Sequence, residues 1–113
     1  MELMVLILNQ VDCLEDILNG FLSEGLSGAT VIDSTGMLTV LSASDVEAPP
    51  IFGSLRQFLN PEHECSKTVL AVLRPGQLQI ASRIINQAVG GLGNPNTGIL
   101  FTVPVNYVEG IRA

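Results

Sequence analysis

Positive charge is what this sequence has least of. Its 113 residues include five basic side chains, Arg56, Lys67, Arg74, Arg83 and Arg112, against eleven acidic ones, for a net charge of −6. Nucleic acids are bound through basic stripes that neutralise phosphates, and five scattered cations form none, so nucleic acid is excluded as a partner. The same shortage argues against an anionic membrane surface. Charge of either sign is scarce: 14% of residues are charged and 47% are hydrophobic, whereas about 25% charged is usual for a solvated domain. Some apolar face is therefore expected to lie against another subunit, which predicts a homo-oligomer. Histidine is limited to His63, and no Ser-His-Asp set has recognisable spacing. With no nucleophile and base to name, the chain is not expected to be an enzyme. Cysteine is limited to Cys13 and Cys65, and their unpaired spacing fits reduced thiols better than a disulfide framework. Long hydrophobic runs are also missing. The apolar opening Leu3 to Leu8 is too short to span a bilayer and lacks the basic flank of a signal peptide. The expected location is the cytoplasm, with no membrane insertion.

What remains is a chain of the size of one domain, large enough to build its own core. Met1 to Leu8 is nearly all apolar and reads as a central strand buried on both faces. Asp12 stands three residues before Glu15, as in a capping box. Leu14, Ile17, Leu18, Phe21 and Leu22 share one helical face, and Gly25 is a natural stop, predicting a helix from about residue 12 to 24. Ser27 to Asp33 reads as a second strand. From Ser34 to Cys65 the pattern loosens into a long excursion. It holds an apolar cluster at Met37, Leu38, Val40 and Leu41, a Pro49-Pro50 break, and one or two expected helical turns over Ile51 to Leu59. So long a connection within a compact domain is usually functional. Ser66 to Leu73 is the third strand. Pro75 marks a helix start, with Leu78, Ala81, Ile84, Ile85 and Ala88 on its apolar face and Gly90 at its end. Ile99 to Val105 is the fourth strand, with Pro104 placing its last part at an edge, and Val105 to Ile111 is expected to make a final helical turn.

The order is β-α-β, an excursion, then β-α-β. Two such units predict an α+β fold, the ferredoxin-like βαββαβ sandwich, with a four-stranded antiparallel sheet and two helices on one face. No third layer is present in the sequence, so a second copy of the chain is the simplest cover for the other face.

Three stretches carry candidate chemistry. The loop Gly90-Gly91-Leu92-Gly93-Asn94-Pro95-Asn96-Thr97-Gly98 can bring bare backbone N–H groups to a ligand, but it is also ordinary turn chemistry, and both readings stand. It matches neither the phosphate motif ending in Gly-Lys-Ser/Thr nor the strand-Gly-x-Gly-x-x-Gly-helix arrangement, because a strand follows it. Glu62-His63-Glu64-Cys65 packs four potential metal ligands together. Alternate residues of an extended chain share a side, so His63 with Cys65, or Glu62 with Glu64, could hold one ion. A closed tetrahedral site needs ligands from elsewhere, and an exposed polar turn is the competing reading. Cys13, in the first turn of a helix, is placed either to have its thiol pKa lowered or simply to pack. Arg56 and Lys67 flank the excursion, and either close onto an anion or solvate its ends.

The opening MELMVLILN, the stretch Gly25-Leu26-Ser27-Gly28-Ala29-Thr30-Val31 and the close Leu100-Phe101-Thr102-Val103-Pro104-Val105-Asn106-Tyr107-Val108-Glu109-Gly110-Ile111-Arg112 resemble the PII nitrogen-regulatory signal proteins and their PII-like relatives. The last looks like the family's final strand and its V-x-x-I-R ending. The resemblance implies a homotrimer with adenine nucleotides in clefts between subunits, where the base of a long T-loop meets a glycine-rich B-loop and C-terminal arginines. Carried over by position, the T-loop base lies near Thr35, Gly36 and Met37. The B-loop is Gly90 to Gly98, including Gly91, Gly93 and Asn94, and the C-terminal arginine is Arg112. Ile99 and Gly110 stand where nucleotide-binding members carry cations, and the family's modified tyrosine is missing. An adenine nucleotide and a smaller anion are therefore both left open as the effector.

The expectation is a trimeric PII-like signalling protein. A small effector would set the conformation of residues 34–65, and these would contact a regulated partner protein. Two alternatives belong to other classes. One is a metal-handling trimer like the copper-tolerance proteins of this fold, using His63, Cys65 and Glu62. The other is a ligand-free structural oligomerisation module.

Overall fold

The computed structural model describes residues 1–43 and 65–111. In chain order the elements are β1 (Glu2–Leu8), a 3-10 turn (Val11–Cys13), α1 (Leu14–Ser23), β2 (Thr30–Ser34), α2 (Met37–Ala43), β3 (Ser66–Leu73), α3 (Gln77–Val89) and β4 (Gly98–Pro104). The four strands form one sheet in the order β2-β3-β1-β4, with every neighbouring pair antiparallel. The fold is α+β.

β1 pairs on both sides, and its side chains alternate as a pleated strand requires. Met4, Leu6 and Leu8 are wholly buried, while Leu3, Val5 and Ile7 are only half-buried. The buried row packs with Ile17 and Phe21 of α1, Ala81, Ile85 and Val89 of α3, and Val69 and Leu73 of β3. The sequence leads one to expect burial on both faces of β1; the described residues bury one, where α1 and α3 feed the same core, and leave Leu3, Val5 and Ile7 half-buried on the other. Burying each large apolar side chain contributes roughly 1.5–3 kcal/mol, so this one-sided core is the main source of the sheet's stability.

The helices stop where glycine permits. After α1, Leu26 N–H donates to the Phe21 carbonyl at 2.8 Å and Gly25 N–H to that of Leu22 at 3.1 Å. Gly25 sits at φ +82°, which is the left-handed residue such a double bond needs. α3 ends at Gly90 (φ +78°). The two helices meet at Gly20, where an added Cβ would lie 2.6 Å from Ile84 Cγ2.

Several expectations are corrected. Asp12 does not cap a helix: it lies inside the 3-10 turn, and α1 starts after Cys13 with no side-chain cap. The turn is fixed by backbone bonds from Val11 N–H to Asn9 and from Cys13 N–H to Gln10, and these supplant the capping box. β2 begins at Thr30 rather than Ser27 and runs one residue past Asp33. The cluster at Met37, Leu38, Val40 and Leu41 is a helix, α2. Residues 105–111 form no helical turn. Val105 N–H donates to the Met1 carbonyl, and Gly110 adopts φ +89°, both of which hold the tail out of helical geometry. β4 is an edge strand, as Pro104 suggests. The turns expected over Ile51 to Leu59 lie outside the described residues.

Candidate functional site at one end of the sheet

One transverse row defines the site. Gly98 of β4 is opposite Leu8 of β1, Leu8 is opposite Lys67 of β3, and Lys67 is opposite Asp33 of β2. The glycine-rich loop enters this row at Gly98, and Thr35-Gly36 leave it just beyond Ser34. β4 and β2 are the two outer strands, so three strand spacings separate the loop from the start of the excursion, roughly 14 Å. One chain therefore gathers Gly90, Gly91, Gly93 and Asn94 at one edge. It gathers Thr35, Gly36 and Met37 at the other, with Lys67 one strand in from that edge. It does not bring the two groups together. Arg56 and Arg112 lie outside the described residues, as do Glu62, His63 and Glu64.

The loop is held mostly by its own polar groups. Gly91 N–H donates to the Asn86 carbonyl (2.9 Å) and Leu92 N–H to Asn86 Oδ1 (2.8 Å). Asn94 N–H donates to the Gly91 carbonyl (3.1 Å), and its side-chain amide to that of Gly90 (2.7 Å). Thr97 is buried; its hydroxyl donates within the loop toward the Asn94 and Leu92 carbonyls, and its own carbonyl accepts from Asn9 and Gln10 N–H. The amides of Gly91, Leu92 and Asn94 are thus spent internally.

The glycines differ in why they are there. Gly90 and Gly91 have φ +78° and +111°, which other residues rarely adopt. Gly98 has φ +154°, and a Cβ there would stand 2.6 Å from the Ile7 carbonyl oxygen. Gly93 has neither constraint, and an added Cβ would meet nothing within 4 Å. Backbone geometry accounts for three of the four glycines and leaves Gly93.

Lys67 and Arg83 are already paired with carboxylates. Lys67 is paired with Asp33 across the β2–β3 edge, and Arg83 approaches Glu24 at 3.8 Å. Arg74 follows the opposite end of β3. A polyphosphate needs several donors and cations converging on it, and the described residues do not fit one. Among the described residues there is also no group of three His, Cys, Asp or Glu that could hold a metal ion. Cys65 is exposed and free.

Cys13 is a packed thiol. Its Sγ–H donates to the Ala88 carbonyl at 3.2 Å, and burial, reinforced by Asp16 and Asp12, raises its pKa. A lowered thiol pKa at the helix start is therefore not what the fold produces.

One cluster was not legible in the sequence. Ser34 Oγ lies 2.8 Å from both Ser66 Oγ and Thr68 Oγ1, and the Ser66 hydroxyl reaches the Ser34 carbonyl at 3.2 Å. These hydroxyls meet only once the β2–β3 register is known. Two concavities lie away from the row. A groove of about 360 Å³ between α1 and α3 includes Gly20, Glu24, Arg83 and Gln87. A hollow of about 200 Å³ at the far end of the sheet includes Glu2, Arg74, Pro75 and Gly76. No helix among the described residues is long and apolar enough to cross a membrane.

Compared with known proteins, the chain matches no family model and no curated sequence.

Proposed function

We propose that this chain is a PII-like regulatory protein that binds a small, anionic effector in clefts completed between copies of itself, and that the bound effector changes how it engages a partner protein. A ferredoxin-like βαββαβ arrangement underlies the reading. The strand order β4-β1-β3-β2, with α1 connecting β1 to β2 and α3 connecting β3 to β4, supports it. The observation that carries the function is the separation of the half-sites. The glycine loop and the Thr35-Gly36-Met37 segment share one end of the sheet but stand at opposite edges. A neighbouring chain, most simply within a trimer, can bring the second half to the first. The partner protein meets the excursion after Ser34, where α2 exposes Met37 and Val40. An effector that favours one state of that segment shifts its population by its differential affinity.

Calorimetric titration with ATP, ADP, AMP and small di- and tricarboxylates tests this. One of them should give binding heat and, at about a hundred times its Kd, raise the melting temperature by roughly 10 °C. Absence of heat and of any thermal shift with all of them contradicts the reading.

The internal hydrogen bonding of the loop favours a second reading, a ligand-free oligomerisation module. It predicts the same multimeric mass and no effector heat.

A further inference from the structure

Of the four described strands, β2 alone gives no side chain to the core or to the residues packed against it. β1 supplies Met4, Leu6 and Leu8, β3 supplies Val69 and Leu73, and β4 supplies Leu100. On β2 even the apolar pair, Val31 and Ile32, stays 38% and 47% exposed. Burial is the main term that fixes a strand in place, whereas ladder bonds, traded for bonds to water, contribute little net. What β2 has instead is polar and lies at one end. On one face Ser34 Oγ is 2.8 Å from both Ser66 Oγ and Thr68 Oγ1, and the hydroxyl of Ser66, itself buried, reaches the Ser34 carbonyl at 3.2 Å. On the other face Asp33 pairs with Lys67. The opposite end is tied differently: Leu26 and Ala29, just before the strand, pack against the core. We infer that β2 is a strap, hinged at Ala29 and latched at Ser34, that opens from the edge of the sheet while the core stays folded.

The two halves of the latch are unequal. The ion pair stands largely in water, with the Asp33 side chain 81% exposed, so it is weak and screened by salt. The hydroxyl cluster is better shielded, and Ser34 is its centre, because its one hydroxyl serves both neighbours. Opening breaks the pairings from Thr30–Leu70 to Ser34–Ser66 but takes no β2 side chain out of the core. It therefore costs less than unfolding the domain, as expected of a local opening unit. An open strap leaves the backbone edge of β3 unpaired. It also carries Thr35, Gly36 and Met37, which follow Ser34 in the chain, away from the sheet. The latch thus sets where this half of the candidate site stands.

This inference goes beyond the effector reading and does not rest on it. Native-state hydrogen exchange of the full chain, followed by NMR and corrected for intrinsic rates, tests it. The ladder-protected amides of Thr30–Ser34 should exchange roughly ten times faster or more than those of Glu2–Leu8. Ser34→Ala should speed the β2 amides roughly tenfold further, since two hydroxyl contacts are lost. Ile85→Val trims the core without touching the strap, so it weakens the closed and open forms alike. It should speed β1 exchange roughly fivefold and leave β2 exchange unchanged. Amides of β2 that match β1 in rate, or that follow Ile85→Val as β1 does, overturn the strap, because they then open only with the whole domain. A faster β2 rate that ignores Ser34→Ala overturns the latch. Both variants are mild enough to be measured as folded protein, and neither readout needs an effector.

Discussion

At the scale of single residues, the glycine-rich loop divides into glycines the backbone requires and one it does not. Gly98→Ala would press a Cβ to 2.6 Å from the Ile7 carbonyl oxygen. A backbone atom in a paired strand cannot move aside, so the variant should lose roughly 2–4 kcal/mol and melt on the order of 10 °C lower. Gly93→Ala meets open space and should melt within about 1 °C of wild type, since surface changes away from special features cost little. If effector approaches the bare backbone there, the same variant loses its calorimetric heat while remaining folded, and unchanged heat removes Gly93 from the site. Cys13 makes a third residue-level prediction. Its raised thiol pKa means the folded chain holds the proton after the unfolded chain has released it. Stability therefore falls as pH rises through the thiol range. With iodoacetamide at neutral pH, exposed Cys65 should be alkylated well before Cys13, followed by intact mass and peptide mapping. Equal rates would contradict the packed-thiol assignment.

At the scale of elements, the crossing of α1 and α3 depends on Gly20. Glycine in a helix interior costs about 1 kcal/mol relative to alanine, yet its missing Cβ admits Ile84. Gly20→Val should destabilise by roughly 2 kcal/mol in chemical denaturation. Adding Ile84→Ala should restore part of the loss, and strict additivity would show that the two helices do not meet there. The elements that were legible in the sequence are those with strong period and punctuation. β3 spans Ser66–Leu73 as expected because a β-rich run ends cleanly against Arg74-Pro75. α3 was legible because its apolar residues recur at helical spacing between Pro75 and Gly90. The start of α1 was misread because Asp12 and Glu15 have capping-box spacing, while backbone bonds from Val11 and Cys13 settle the turn instead. α2 gave no signal because its seven residues make too few turns to show a period. The final helical turn expected over Val105 to Ile111 does not form, because the tail is held to Met1 and bent at Gly110. For the site, the loop's position was legible from composition. The separation of its two halves was not, because it depends on which strands form the sheet edges. The internal spending of the loop's amides depends on Asn86, a helix residue that gives no sign in sequence of closing a neighbouring turn.

At the scale of the whole molecule, two features of the described residues stand out. The sheet buries one face against α1 and α3, while on the other Leu3, Val5 and Ile7 are half-buried and Phe101 and Val103 are exposed. Its two candidate half-sites stand at opposite edges of the same sheet end. In the proposed assembly a second chain would remove the open face from water and bring one chain's glycine loop toward another's Thr35-Gly36-Met37. A site completed in that way exists only in the assembly, so effector affinity should fall with dilution below the dissociation constant of the multimer. The most direct test is the solution mass of the wild-type chain at micromolar concentration. The account predicts an integer multiple of 12.0 kDa, most simply three. A stable 12.0 kDa monomer that still binds effector would contradict it.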